Sequence, residues 1–320
     1  MAGASSNPTR RVVALLNFLA RRPGRMFSLS ELSRELEISK STLHPLVETL
    51  VDAGYLMRDD ATKVIRLGPV LTGIGSAALG HRGHLVNSLG SAMENIAHGL
   101  DAHCVISAMF GDWIVPLAAA GEPSRVTTLF RVGARANPFS PPMGVLFLPG
   151  QPMGEVQEWL DKAQPTMDPA EVDLTLRALD LLRREGFAAA TRLDVKARIE
   201  QVLDGVVYAA PERSPQFQEM LRELRRGQYL VTDFTFEERR EIDWLGIPLC
   251  DARGRVDAAF VVLNLPRPLS GPEIVEVAER MKAAVRETPG TRLLDSEEDA
   301  GTAGRGGSRG RDGVRRAQPA

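Results

Sequence analysis

Cysteine is nearly missing from the sequence: two residues in 320, Cys104 and Cys250. That is too few for a disulfide framework or a thiolate metal cluster, and both read as small buried hydrophobes suited to a reducing cytoplasm. Long apolar runs are missing too. No stretch reaches the ~18 residues of a membrane span, and the opening MAGASSNPTRR has no apolar core of a secretory signal. A cytoplasmic protein with no membrane partner is expected. Histidine occurs only at 44, 81, 84, 98 and 103, with no cysteine beside it at metal-ligand spacing. A phosphate-cradling glycine loop needs a strand before it and a helix after it, and Gly304-Arg-Gly-Gly307 sits instead in an arginine-rich tail. Without a convergent nucleophile, acid/base pair or metal set, no catalysis and no cofactor are expected.

Net charge is close to balanced at −2, but the average hides a division along the chain. Residues 1–66 hold ten Lys/Arg against seven Asp/Glu, residues 67–290 hold 23 against 29, and residues 291–320 hold six against five. A mildly basic head therefore precedes an acidic body. Positive potential concentrated at one end favours a polyanionic partner there.

The head reads as four short elements. Val12, Leu15, Leu16 and Leu19 lie at helical spacing in RRVVALLNFLA (10–20), which Arg22-Pro23-Gly24 ends. Ser28-Leu-Ser-Glu31 has capping-box spacing and predicts a second helix from Leu29 to about Leu36, with Leu32 and Leu36 as its buried stripe. Ser39 is placed to cap a third helix, whose apolar face is Leu43, Leu46, Val47, Leu50 and Val51 and whose end is Gly54. So short a connection makes a helix-turn-helix. Tyr55–Arg58 and Lys63–Leu67 flank the polar turn Asp59-Asp60-Ala61-Thr62, a hairpin. A hairpin directly after a helix-turn-helix is a winged helix. Pro69 opens a further helix, apolar at Val70, Leu71, Ile74, Ala77, Ala78 and Leu79, suited to connecting or dimerising before Gly80–Gly83.

From residue 84 the pattern changes to helix (84–100), hairpin (Cys104–Phe110 and Trp113–Ala118 about Gly111-Asp112), and helices at 142–148, 154–163, 168–185 and 216–226. Strands are expected at Phe187–Arg192 and Tyr229–Phe234, with a second hairpin at Leu245–Cys250 and Asp257–Leu265 turning at Asp251–Gly254, and a helix at 271–287. Hairpins mixed with helices predict an α+β domain around an antiparallel sheet. After Thr288 the hydrophobic pattern stops, and the Gly/Arg-rich tail is expected to be disordered.

In a helix-turn-helix the second helix of the motif lies in the major groove with its N-terminal residues on the base edges. Here those residues are Ser39, Lys40, Ser41, Thr42 and His44. Hydroxyls at 41 and 42 suit bases or phosphates, and Thr42 also suits a thymine methyl. Ser39 serves equally as a cap alone, and His44 as a surface residue. Arg58, Lys63 and Arg66 on the wing would add salt-dependent phosphate contacts, against the local charge of Asp59 and Asp60.

Leu-Ser-Glu-Leu-Ser-Arg-Glu-Leu (29–36), Ser-Lys-Ser-Thr-Leu-His (39–44), Leu-Val-Asp-Ala-Gly-Tyr (50–55) and Ile-Arg-Leu-Gly (65–68) together resemble the IclR family of bacterial transcription regulators. The likeness continues, in order, through Val132-Gly-Ala-Arg135, Gly144, Arg184-Glu-Gly-Phe187, Leu245-Gly-Ile-Pro248 and Asp251-Ala-Arg-Gly254, so that it spans roughly residues 10–287. It implies a winged helix-turn-helix at 8–68, a linker helix at 69–83, a GAF-like antiparallel-sheet effector-binding domain at 84–287 and a tail at 288–320. It also implies a homodimer or dimer of dimers on a pseudo-palindromic double-stranded DNA operator, and a small-molecule effector.

Two departures stand out. Pro45 occupies the place where the family usually has arginine, so one side chain that would reach a base or phosphate is absent. A proline inside a helix costs about 3 kcal/mol, and the third helix is expected to start later or kink there. Around the effector cavity the resemblance assigns Phe139, Ser140, Met143, Asp233, Trp244, Val262 and Asn264. Trp244 and Val262 make the cavity apolar, favouring an aromatic or hydrophobic effector oriented by Asn264 and Ser140, although Trp244 and Phe139 serve equally as core packing. The whole reads as a ligand-responsive, sequence-specific DNA-binding regulator whose effector is a small organic acid or aromatic metabolite. The alternative is a winged-helix protein-interaction or constitutive DNA-binding module with a vestigial sensor domain.

Overall fold

A computed structural model describes residues 7–22, 24–122, 131–139, 143–163, 166–191 and 230–294. The expected helix at 216–226 and most of the tail lie outside the described residues, as do Pro23 and Ser140. The chain divides into two compact units between Gly83 and His84.

In the first unit α1 (Asn7–Ala20), α2 (Leu29–Glu35) and α3 (Lys40–Asp52) precede a two-stranded hairpin, β1 (Leu56–Arg58) and β2 (Ile65–Leu67), and α4 (Val70–Leu79). Ser28 caps α2: its hydroxyl accepts from the Glu31 amide at 3.2 Å, while the Glu31 carboxylate accepts from the Ser28 amide at 2.7 Å. The Ser28 amide first, and then the Ser28 hydroxyl, which donates to the carboxylate at 2.9 Å, hold the Glu31 carboxyl below its ordinary range. Leu15, Phe18, Leu19, Phe27, Leu32, Leu43, Val47, Leu56 and Ile65 close a small core beneath the three helices. Phe27 adds a strand-like partner that periodicity does not show: its amide and carbonyl both bond Ile65, at 3.1 and 2.7 Å. The wing is thereby fastened to the start of α2. Gly68 completes the join, because a Cβ there would lie 2.2 Å from the Gly54 carbonyl oxygen, so the end of β2 passes the end of α3 only as glycine.

The second unit holds α5 (Arg82–Leu100), β3 (His103–Phe110), β4 (Trp113–Ala120), a 3-10 turn (Met143–Phe147), α6 (Met153–Asp161), α7 (Pro169–Glu185), β5 (Ala188–Thr191), β6 (Ile242–Cys250), β7 (Val256–Leu263), α8 (Gly271–Arg286) and β8 (Arg292–Leu293). Its antiparallel sheet runs β4-β3-β7-β6-β5, and β8 pairs the far end of β6. The α+β class and its antiparallel sheet agree with the sequence. Three local expectations change. Within 142–148, Met143–Phe147 forms a 3-10 turn rather than an α-helix. Among the described residues of 229–234, Leu230 makes one isolated bridge to Ala190 in place of a strand. Thr288 is buried and Arg292 and Leu293 pair with β6, so backbone bonding carries order past residue 288.

One face of the sheet is defined by register. Opposed residues share a face, so Trp244 lies with Leu263 and His103, Gly246 with Val261 and Val105, and Ser107 with Ala259. That face is covered by the 3-10 turn, α6 and α7 through Met143, Val145, Leu146, Val156, Leu160 and Leu179.

Candidate DNA-reading surface and effector face

The first turn of α3 is an exposed hydroxyl cluster. Ser39 is the N-cap, and its Oγ lies 3.3 Å from the Thr42 amide, 3.1 Å from Ser41 Oγ and 2.9 Å from Thr42 Oγ1. Ser39, Lys40, Ser41 and His44 are exposed and Thr42 is half-buried, while Leu43 and Val47 on the opposite side sink into the core. The amphipathic spacing thus turns the predicted residues outward together.

Pro45 does not delay the helix: α3 begins at Lys40 and runs through it, because the cap at Ser39 and the buried Leu43 and Val47 fix both sides of the proline. Thr49 Oγ1 donates to the Pro45 carbonyl at 2.9 Å.

The wing residues divide. Lys63 and Arg66 are exposed. Arg58 is instead 21% exposed and donates through Nη1 to Glu48 Oε1, an oxygen that also faces His44 Nε2 at 3.7 Å. Its guanidinium ties β1 to α3 and so positions the wing. Asp59 shapes the wing turn by accepting from the hydroxyl (2.6 Å) and amide (2.7 Å) of Thr62, which lower its pKa.

In the second unit the predicted effector residues come together only in part. Trp244 is fully buried in the apolar cluster with Met143, and its indole Nε1 has no hydrogen-bond partner among the described residues. Phe139 is buried and its ring lies 4.3 Å from that of Trp159, which packs against the same cluster. Ser140 is outside the described residues. Val262 is buried but opposes Leu245 and Cys104, on the other face of the sheet from Trp244. Alternation along β7 gives Trp244's face to Val261 and Leu263, which the sequence alone does not single out. Asn264 follows the strand at a φ of 58°, where the chain leaves the ladder. Asp233 is exposed and its carboxylate is taken by Thr235, whose hydroxyl (2.7 Å) and amide (2.9 Å) lower its pKa, so it closes a turn.

Two further polar groups sit on the Trp244 face. Ser107 Oγ is buried without a partner among the described residues. His103 is buried, its Nδ1 3.3 Å from the Gly121 carbonyl, and burial pushes its pKa down. The signal for both is their place at every second position of a continuously buried strand, whose facing is legible only once register is known. Leu146 seats over Gly246, where a Cβ would lie 2.6 Å from Leu146 Cδ1. Among the described residues no group of three His, Cys, Asp or Glu gathers to hold a metal, and no helix is long and apolar enough to cross a membrane.

Residues 8–60 match the model of the IclR helix-turn-helix domain. The IclR structure from Thermotoga maritima superposes with a TM-score of 0.55 at 19% identity, covering 88% of this chain and 96% of that one. HmgR of Pseudomonas aeruginosa gives 0.52 at 20%, covering 88% and 97%. An IclR homolog from Microbacterium hydrocarbonoxydans, solved with 4-hydroxybenzoate, gives 0.51 at 19%, covering 88% and 100%. No curated protein matches. The first unit carries an IclR helix-turn-helix domain, and the chain has the fold of the IclR transcription regulators, in keeping with the resemblance carried by residues 29–36 and 39–44.

Proposed function

We propose that this chain, an IclR-type DNA-binding transcription regulator, reads a palindromic operator with α3 and answers to a small aromatic or apolar acid held on the Trp244 face of its sheet. The observation that carries the DNA part is the exposed first turn of α3 inside the matched domain. Lys40 supplies charge and Ser41 and Thr42 supply hydroxyls to base edges, with Ser39 and His44 flanking them. Lys63 and Arg66 contact phosphates from the wing.

The effector part rests on Trp244. A buried N–H without an acceptor costs about 1–3 kcal/mol, and a ligand carboxylate or phenol oxygen brought to Nε1 would recover that cost. Ser107 Oγ on the same face is a second orphan, and Phe139 and Met143 supply apolar surface. The 4-hydroxybenzoate of the Microbacterium homolog is a ligand of this chemistry. A second copy of the chain completes the operator match. The helix α4 supports this, since none of its residues is buried and Val70 and Ile74 are 39% and 45% exposed, an apolar surface suited to its own symmetry mate.

One observation favours a constitutive regulator: Leu146 already fills the space above Gly246. Calorimetry separates the two. Wild type titrated with benzoate and hydroxybenzoates should release heat that Trp244→Phe lacks, whereas no heat with any aromatic acid would support the constitutive form. Footprinting on the DNA flanking its own gene should protect two half-sites about one helical turn apart, and protection without half-sites would contradict the DNA reading.

A further inference from the structure

We infer that the main-chain carbonyl of Ser41 is a base-reading acceptor created by Pro45, so that the half-site must present an amine, adenine N6 or cytosine N4, at the base pair facing it. This rests on α3 being the reading helix. In a regular α-helix the carbonyl of residue 41 accepts from the amide of residue 45. Proline has no amide hydrogen, and its ring crowds the carbonyl four residues back. The Ser41 carbonyl therefore lacks its ordinary helical donor although α3 is unbroken from Lys40 to Asp52.

Position decides what that acceptor meets. Ser41 and Pro45 are both exposed and stand one turn apart on the side of α3 opposite Leu43 and Val47. A proline pushes the carbonyl four residues back away from the helix axis, while the Thr49 hydroxyl bonds the Pro45 carbonyl itself, one turn further on. With Ser41 and Pro45 both on the exposed side of α3, a carbonyl so displaced would open outward. A phosphate is excluded as its partner, since two acceptors repel. In the major groove only adenine N6 and cytosine N4 donate, whereas guanine offers O6 and N7 acceptors and thymine O4. Glu48, one turn further along, is already engaged by Arg58, so its carboxylate does not compete with the carbonyl for that amine.

The test uses the full chain and a random duplex library. The enriched duplex is remade with the exocyclic amine deleted at each adenine and cytosine of the half-site in turn (purine for adenine, 2-pyrimidinone for cytosine), and affinities are compared for wild type and Pro45→Ala. Alanine restores the amide that recaptures the Ser41 carbonyl and favours the helix, so folding is preserved. Wild type should lose about fivefold at one position, the order of a single hydrogen bond, and Pro45→Ala should show no loss there while keeping the same salt dependence. Indifference of wild type to every amine deletion would overturn the inference, as would an equal loss in Pro45→Ala. Lys40→Ala and Thr42→Ala separate this failure from that of the DNA reading. If both bind the enriched duplex like wild type, α3 is not the reading helix; if both weaken while Pro45→Ala matches wild type at every deletion, only the carbonyl's role falls. A library with no enriched duplex overturns both.

Discussion

The first turn of α3 and the Trp244 face of the sheet carry similar polar groups under opposite conditions. On α3 the hydroxyls of Ser39, Ser41 and Thr42 lie at the surface and bond one another within 2.9–3.1 Å. On the sheet, Ser107 Oγ and Trp244 Nε1 are buried and bond nothing among the described residues. An exposed hydroxyl trades water for a partner at little net gain, about 0.5–1.5 kcal/mol, whereas a buried orphan already bears a cost that a partner would relieve. Many weak, geometry-dependent contacts suit sequence discrimination. One strong, desolvated contact suits a ligand that must shift an equilibrium.

The largest expected effect falls on the buried side. Trp244→Ala should destabilise the second unit by about 3–5 kcal/mol, read as an early transition in urea that leaves the first unit's signal in place. A loss under about 1 kcal/mol would mean that Trp244 is not packed as described. Gly246→Val should cost about 1–3 kcal/mol by forcing Leu146 aside, again without touching operator affinity. Unchanged stability would show that the 3-10 turn yields easily and that this face has room for a ligand. On the exposed side Ser28→Ala removes half of the capping box and should cost the first unit about 1 kcal/mol, with no change in the second.

Titration distinguishes the two regions more finely. His103 is buried neutral, so its folded pKa lies below the ordinary value near 6.5. In that case the unfolded chain binds the proton first: stability is full above the ordinary histidine range and falls as pH drops through it. His103→Gln should flatten that fall for the second unit alone, and an unchanged slope would assign the dependence elsewhere.

The head was legible because its determinants are local. Ser28 with Glu31, Ser39 before Leu43, and the glycines after α3 and β2 act within a few residues of themselves. What escaped there depends on contacts from a distance: the Phe27 bridge to Ile65, and the Glu48 carboxylate that claims Arg58. In the body the elements were legible but their register was not. A regular ladder continued from the Cys250–Val256 pair would set Val262 opposite Trp244. A bulge instead leaves Asp257 as an extra residue, pairs Leu249 with Ala258 and so brings Leu263 to Trp244. One added residue exchanges every side chain between faces. Val261 and Leu263 thereby replace Val262 on the candidate effector face, and no periodicity within β7 reveals the exchange.

The proposed sequence-reading surface is the first turn of α3. The direct measurement is the ratio of affinities for the enriched duplex and a scrambled duplex, across a salt series, for wild type and for Ser41→Ala combined with Thr42→Ala. The ratio should collapse by about tenfold or more in the double variant, while the slope against salt, set by Lys and Arg on phosphates, stays as in wild type. An unchanged ratio would contradict the claim and place the reading surface elsewhere.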